Sequence, residues 1–199
     1  MKWLRSCWPE IVFNLAVLAP LAALIWDFSR GQLTANPIQA VQLATGRYAL
    51  GLLVVTLAIS PLVKFFNLGR LLPLRRPAGL YAFGYASLHL VNFVGVDYGF
   101  NFAAIFADVG EKRYILAGLG AYLLLLPLAI TSTRGWMVRL GRNWERLHWL
   151  VYPVVLLAMT HFFWQTKADL RGPLAWSAVV VLLLAVRLAG LVRGFKRRG

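Results

Sequence analysis

The stretch YILAGLGAYLLLLPLAIT, residues 114–131, contains 18 residues and no charged side chain. An uncharged apolar run of this length is typical of a helix that spans the hydrocarbon core of a membrane. Five further segments are long and apolar enough to do the same: residues 9–26, 43–62, 78–96, 146–164 and 174–192. The sequence therefore predicts an all-α membrane protein built as a bundle of six transmembrane helices.

Composition agrees with a membrane protein. Hydrophobic residues make up 60% of the chain and charged residues only 14%, whereas an ordinary soluble domain has about 25% charged residues. The net charge of +14 lies in short basic runs between the apolar segments, so we expect membrane lipid and no nucleic acid as a partner. Because no repeat or linker separates the segments, we expect one domain over residues 1–199.

The basic residues also predict the orientation of the bundle. The two tails, the second-to-third loop and the fourth-to-fifth loop together carry 14 Lys and Arg, and the three remaining loops carry 6. Loops rich in Lys and Arg stay on the cytoplasmic side of a membrane. Both termini are therefore predicted to be cytoplasmic.

Several kinds of chemistry lack the residues they need. The single cysteine, Cys7, cannot form an intrachain disulfide or hold an iron–sulfur cluster by itself. No two histidines lie closer than 13 residues, which argues against the clustered ligands of a di-iron oxidase. No acidic residue lies in the middle of a predicted span, as an ion-coupled transporter usually requires, but a transporter for an uncharged solute stays open.

All three histidines, His89, His148 and His161, fall in predicted spans, where an ionisable side chain is costly and usually has a partner. The third and fifth spans run in the same direction, so position along the chain measures depth. At about 1.5 Å per residue, His89 and His161 differ in depth by about 6 Å. They can therefore face each other and ligate one b-type haem, an arrangement that favours electron transfer over oxygen chemistry.

His148 lies about 20 Å from His161 along the helix, toward the cytoplasm. A second haem or a flavin held there would shorten the path of the electron. Arg75 lies 14 residues before His89, about four turns along the same helix face, where it could contact a haem propionate or lie near a second iron. The number of haems, one or two, stays open.

The helical phase of His148 and His161 raises a separate question. On an ideal helix, two residues 13 apart lie about 140° from a common face. Pro153 lies between them and cannot bond to the carbonyl of Trp149, which predicts a kink or local rewinding. Either the bend realigns the two histidines or they serve different centres.

Small side chains on the third helix permit two interpretations. Gly79, Ala82, Ala86 and Ser87 precede His89 on this helix. They could leave room for a flat macrocycle, or they could let two helices approach closely.

Seven short blocks of the sequence resemble one family. They are TGRYAL (45–50), SPL (60–62), RRPAGL (75–80), LH (88–89), ITS (130–132), WERLH (144–148) and HF (161–162). Together they resemble the MsrQ family, the haem-binding membrane subunits of protein-methionine-sulfoxide reductase systems within the ferric-reductase-like transmembrane superfamily. His89, His148 and His161 match the histidine positions of the family, and Arg75 belongs to its arginine pair.

The resemblance implies a multi-pass cytochrome of the bacterial inner membrane that holds b-type haem and FMN. Such a subunit takes electrons from the quinone pool or a cytoplasmic flavin reductase. It passes them to a periplasmic molybdopterin-containing subunit that repairs oxidised methionine in envelope proteins. The chain departs from the wider superfamily because it lacks the second helix-3 histidine of two-haem oxidases and an appended nucleotide-binding domain, so terminal catalysis falls to a partner protein.

Two other functions remain open from the sequence. A stand-alone transmembrane ferric or quinone reductase would need no periplasmic acceptor protein. A haem-free transporter would be colourless when purified, and its histidines would serve packing or proton relay.

The orientation can be tested by cysteine labelling. We expect a membrane-impermeant maleimide to label Cys7 only in inverted vesicles, because the basic tails stay in the cytoplasm. In a Cys7→Ser background, Asp169→Cys in the last loop should label only in right-side-out vesicles, and Gly199→Cys only in inverted ones. Labelling of Cys7 from the outside would contradict the predicted orientation.

Overall fold

The computed structural model describes the backbone of residues 2–196 and the side chains of residues 8–189. Cys7 and the basic side chains after residue 189 lie outside this description. Every regular secondary-structure element in the described residues is a helix, which confirms the all-α prediction. The α-helices are α1 (Lys2–Ser29), α2 (Pro37–Phe66), α3 (Arg75–Val91), α4 (Phe102–Glu111), α5 (Arg113–Ile130), α6 (Arg134–Leu140), α7 (Arg142–His148), α8 (Val151–Gln165) and α9 (Arg171–Lys196). A 3₁₀ helix, Gly69–Leu74, precedes α3, and a π-helical turn, Asn92–Asp97, continues it.

Among the residues that the structure describes, six stretches are long and apolar enough to cross a membrane, which confirms the predicted number of spans. They are Trp8–Ser29, Pro37–Phe66, Gly69–Asp97, Arg113–Ile130, Arg142–Gln165 and Arg171–Ala189. Large apolar side chains such as Leu15, Leu123 and Leu182 are exposed on them, as expected where a helix faces lipid. An even number of spans places both termini on the same side, and the assignment of that side to the cytoplasm stays a prediction.

The second helix begins at Pro37, earlier than its predicted start at residue 43. The side chain of Asn36 accepts a hydrogen bond from the backbone N–H of Gln39 at 3.1 Å, and Pro37 takes the first helical position. Both are ordinary signals of a helix start. The earlier start brings Gln42 into the helix, and Gln42 contacts His89 on α3.

Four helices meet at one small core cluster, made of Leu53 (α2), Ala82 (α3), Leu125 (α5) and Val154 (α8). Ala82 and Val154 are completely buried. The small residue Ala82 on α3 therefore serves close helix packing, the second of the two interpretations that the sequence allowed. Through this cluster, α3, which packs mainly on α2, meets α8, which packs mainly on α5.

The two outer helices attach to the same core. On α1, Val17 packs with Ala49 and Tyr85, and the Tyr85 hydroxyl donates to the Val17 carbonyl at 2.6 Å. On α9, Val180 packs in the cluster that contains Val155 of α8.

The predicted disturbance near Pro153 is confirmed. The fifth span is divided into α7 and α8, and between them Trp149 and Leu150 bond to carbonyls three residues earlier, at 3.1 and 3.0 Å. The Trp149 carbonyl, which Pro153 cannot bond, accepts instead from the Tyr152 N–H at 3.0 Å. Hydrogen bonds between residues three apart wind the backbone more tightly than an α-helix does. The side chains after the break therefore point in different directions, relative to those before it, than they would on a continuous α-helix.

Helix α4 was not predicted, because its ten residues are too few for a span. Asn101 caps it by accepting from the Ala104 N–H at 3.1 Å. Near its end, Lys112 donates to Asp108 at 2.5 Å, and the Tyr98 hydroxyl donates to the same carboxylate. Both hydrogen bonds lower the pKa of the Asp108 carboxyl, and the bond from Lys112 has the larger effect. These bonds fix α4 beside the start of α5.

The core contact of α3 can be tested by enlarging its smallest member. We expect Ala82→Leu to destabilise the bundle by about 1–3 kcal/mol, the usual cost of overpacking a filled core. Gly84→Leu on the same helix is the control, because a side chain at Gly84 meets open space. Melting followed by tryptophan fluorescence in detergent measures both variants, and equal melting temperatures would contradict the packing described here.

Candidate functional site

The rings of His89 and His161 face each other between α3 and α8. Their centroids lie 5.9 Å apart and their planes cross at 86°. His89 lies near the C-terminal end of α3, and His161 lies near the C-terminal end of α8. The structure thus brings together the two histidines that the sequence predicted to face each other.

Gln42 contacts both nitrogens of the His89 ring. Its backbone carbonyl lies 2.9 Å from Nδ1, and its side-chain amide nitrogen lies 3.1 Å from Nε2. Because an amide nitrogen only donates and a carbonyl only accepts, Nε2 is the acceptor and Nδ1 carries the hydrogen. Asn92, a buried residue, donates to the Gln42 side-chain oxygen at 2.7 Å and so orients the amide.

The other two histidines are held in the same way. His161 Nδ1 lies 2.7 Å from the Tyr114 carbonyl, and His148 Nδ1 lies 2.9 Å from the Trp144 carbonyl. All three rings therefore carry their hydrogen on Nδ1 and keep the lone pair on Nε2. A metal-bound histidine needs this arrangement, in which one nitrogen donates to a carbonyl or carboxylate and the other ligates.

Two glycines make room for the paired rings. A Cβ atom at Gly118 on α5 would lie 2.6 Å from His161 Nδ1, and one at Gly46 on α2 would lie 3.0 Å from His89 Cε1. Both positions therefore require a glycine for the rings to stay where they are. Neither glycine lies on α3, the helix whose small residues suggested room for a cofactor, so the sequence assigned neither of them a role.

His148 lies at the other end of α5. Its Nε2 is 3.5 Å from the Ser132 hydroxyl, and its ring stacks on Trp144 at 3.8 Å. His161 contacts the start of α5 through Tyr114, and Ser132 lies just after the end of α5. The two histidines therefore lie near opposite ends of α5.

Arg75 is the exposed first residue of α3. Leu74, the residue before it, packs in one buried cluster with Ile59 on α2, close in sequence to Leu57. Arg187 on α9 donates to the Leu57 carbonyl at 2.8 Å and to the Tyr152 hydroxyl at 3.2 Å. In the sequence, Arg187 is a charge inside the last span, and a charged residue in a span is itself a signal of function.

A cavity of about 1000 Å³ opens at the end of the bundle that holds the paired rings. It lies between the start of α2, the junction of α4 with α5, and the loop from α8 to α9. Tyr114 and Phe162 lie on its wall. The Tyr114 carbonyl contacts His161, and Phe162 follows His161 in the chain. The volume of the cavity matches the large end of ligand pockets in proteins. Five charged residues line it: Glu111, Lys112, Arg113, Lys167 and Asp169.

Among residues 8–189, no three His, Cys, Asp or Glu side chains come together. A site for a bare metal ion is therefore not indicated in this part of the chain. A metal that brings its own equatorial ligands, as haem iron does, needs only the two imidazoles.

Comparison with known proteins places these features in a family. Residues 45–159 match the model of the ferric reductase like transmembrane component. The chain is 46% identical over 181 residues to the protein-methionine-sulfoxide reductase heme-binding subunit MsrQ of Xanthomonas campestris pv. campestris (strain 8004), covering 88% of this chain and 83% of that protein. It is 43% identical over 175 residues to the protein of the same name from Caulobacter vibrioides (strain ATCC 19089 / CIP 103742 / CB 15), covering 87% and 83%.

The role of Gly118 gives a direct test of the ring geometry. We expect the added methyl group of Gly118→Ala to push the His161 ring away from the Tyr114 carbonyl. Without that hydrogen bond, the ring should no longer prefer the tautomer that carries its hydrogen on Nδ1. Gly120→Ala is the matched control, since its Cβ would meet only Leu157 Cδ1 at an ordinary 3.5 Å. Nitrogen NMR of histidine-labelled protein reads the tautomer of each ring. An unchanged His161 signal in Gly118→Ala would contradict this geometry.

Proposed function

This chain belongs to the MsrQ family, within the ferric-reductase-like transmembrane proteins, and we propose that it is the membrane electron carrier of a protein-methionine-sulfoxide reductase system. The relatives are named as heme-binding subunits. The observation that carries the proposal is the pair formed by His89 and His161, each with Nδ1 on a backbone carbonyl.

The pair fits one b-type haem, which His89 and His161 would hold. Their ring centroids lie 5.9 Å apart, close enough for both imidazoles to serve one haem iron, and each ring keeps the lone pair of Nε2 available for it.

When bound, the haem supplies a one-electron carrier within the bundle. The protein's part is to fix both rings through the carbonyls of Gln42 and Tyr114. A haem held by two histidines would favour electron transfer over oxygen chemistry. The chain then carries electrons, and terminal catalysis takes place on a partner.

A second redox group at His148 completes the proposed path from the cytoplasmic side. It would be either a second b-type haem or FMN, whose presence the family resemblance implies. His148 Nε2 faces only a hydroxyl at 3.5 Å, and Arg75 supplies a positive charge for a propionate or a phosphate. Because the chain has three histidines, a second haem at His148 would take its other axial ligand from a different residue type or leave that position open.

The direction of transfer follows from the proposed orientation. With both termini in the cytoplasm of a bacterium and the chain in its inner membrane, the paired rings and the cavity lie toward the periplasm. Electrons would enter from the quinone pool or a cytoplasmic flavin reductase. They would leave to a periplasmic molybdopterin-containing methionine-sulfoxide reductase subunit that repairs oxidised envelope proteins. Residues 1–199 would form one ferric-reductase-like domain.

The haem assignment is tested on histidine variants of the purified full chain. We expect His89→Ala and His161→Ala each to lose most of the bound haem, because each removes one of the two axial ligands. His148→Ala should keep the haem of the pair. Haem extraction and the Soret absorption measure the content. Full haem in both of the first two variants, or a colourless wild-type chain, would contradict the proposal.

Electron transfer is tested in proteoliposomes that contain the full chain, with reduced flavin or quinol as donor. We expect fast haem reoxidation when the methionine-sulfoxide reductase subunit and a methionine-sulfoxide substrate are added outside. The same subunit without substrate is the control. Equal reoxidation by ferric chelates without any acceptor protein would favour a stand-alone reductase instead.

A further inference from the structure

Arg187 is a permanently charged side chain inside the sixth span, and its hydrogen bonds are incomplete. Its two terminal nitrogens donate to the Leu57 carbonyl and the Tyr152 hydroxyl, while its Nε is buried with no hydrogen-bond partner. Both acceptors are uncharged. A guanidinium remains protonated in proteins, and a charge at membrane depth is costly unless an opposite charge accompanies it.

A second positive charge lies nearby, which increases the need for an anion. Leu74, the residue before Arg75, packs in one buried cluster with Ile59 on α2, close in sequence to Leu57, whose carbonyl accepts the hydrogen bond from Arg187. The start of α3 therefore lies near Arg187. Among residues 8–189, the one ion pair joins Lys112 and Asp108, at the opposite end of α5 from His148. The two arginines are thus left without an acidic partner in the part of the chain that the structure describes.

We propose that Arg187, Arg75 and the Tyr152 hydroxyl form a binding site for one oxyanion, a phosphate or a carboxylate, at the His148 end of the bundle. Guanidinium groups suit both anions, because their N–H groups bond oxyanions in a planar fork. The Tyr152 oxygen accepts a hydrogen bond from Arg187, so its own hydrogen is free to be donated to the anion.

Two sources could supply the oxyanion. One is a carboxylate or phosphate of the cofactor proposed at His148, and this source rests on the proposed function. The other is the phosphate of an anionic lipid at the same face of the membrane. In the first case the arginines would also favour the reduced form of the cofactor, because reduction adds negative charge beside them.

The test measures phosphate binding to the full chain, freed of cofactor, in nanodiscs of zwitterionic lipid. Inorganic phosphate replaces chloride at constant ionic strength, and melting is followed by tryptophan fluorescence. We expect phosphate to stabilise the wild-type chain in a saturable way. Arg187→Gln and Arg75→Gln should each weaken the apparent affinity about tenfold or more, as the loss of a charge-assisted hydrogen bond predicts.

Arg142→Gln is the matched control, because Arg142 is an exposed arginine at the start of α7 and is expected on the same side of the membrane. It should respond to phosphate as the wild-type chain does. If Arg187→Gln fails to fold, the phosphate response of Arg75→Gln and of Tyr152→Phe tests the site instead. Arg75→Gln should fold, because Arg75 is exposed and makes none of the hydrogen bonds that hold Arg187. A wild-type chain stabilised no more by phosphate than by chloride would overturn the proposal, as would a control that loses the response equally.

Two further measurements identify which molecule supplies the oxyanion. If the cofactor supplies the oxyanion, the phosphate response is absent from the protein as purified and appears when the cofactor is removed. If lipid supplies it, adding phosphatidylglycerol to the nanodiscs abolishes the response of the cofactor-free chain. A chain that binds no haem would refute the proposed function, while the phosphate titration would still decide the oxyanion site.

Discussion

The hydrogen bonds from imidazole Nδ1 to backbone carbonyls are the interactions on which the site depends. An unpaired polar group in a membrane protein costs several kcal/mol, so a histidine there requires fixed partners. The carbonyls of Gln42, Trp144 and Tyr114 provide them. Each bond fixes both the orientation of its ring and the tautomer, which leaves the lone pair of Nε2 available. The tautomer of all three rings is thereby set by backbone carbonyls.

Helix packing sets the distance between the paired rings. The cluster of Leu53, Ala82, Leu125 and Val154 joins α3 and α8 through α2 and α5. Gly46 and Gly118 let the two rings lie close to the neighbouring helices. At the other end, the break around Pro153 separates His148 on α7 from His161 on α8. Backbone irregularity in a membrane bundle is tolerated where neighbouring groups satisfy the freed carbonyls, and here Tyr152 does so for Trp149.

The sequence predicted the six spans and the proximity of His89 and His161, because apolar length and residue rise are local properties of a helix. It did not predict the role of Gln42, which lay just outside the expected second span until the cap at Asn36 extended the helix. Neither Gly118 nor Arg187 could be assigned, because their roles depend on which faces of separate helices meet. The direction in which Pro153 would turn the fifth span also depends on its tertiary contacts with α5.

The most direct test of the central claim is the EPR spectrum of the oxidised His148→Ala chain, in which only the proposed pair can ligate iron through histidine. The predicted result is a low-spin haem signal with two imidazole ligands, which disappears when either His89 or His161 is also replaced. A high-spin signal from the His148→Ala chain would contradict the claim that these two histidines hold one haem between them. A low-spin signal that survives both further replacements would contradict it equally.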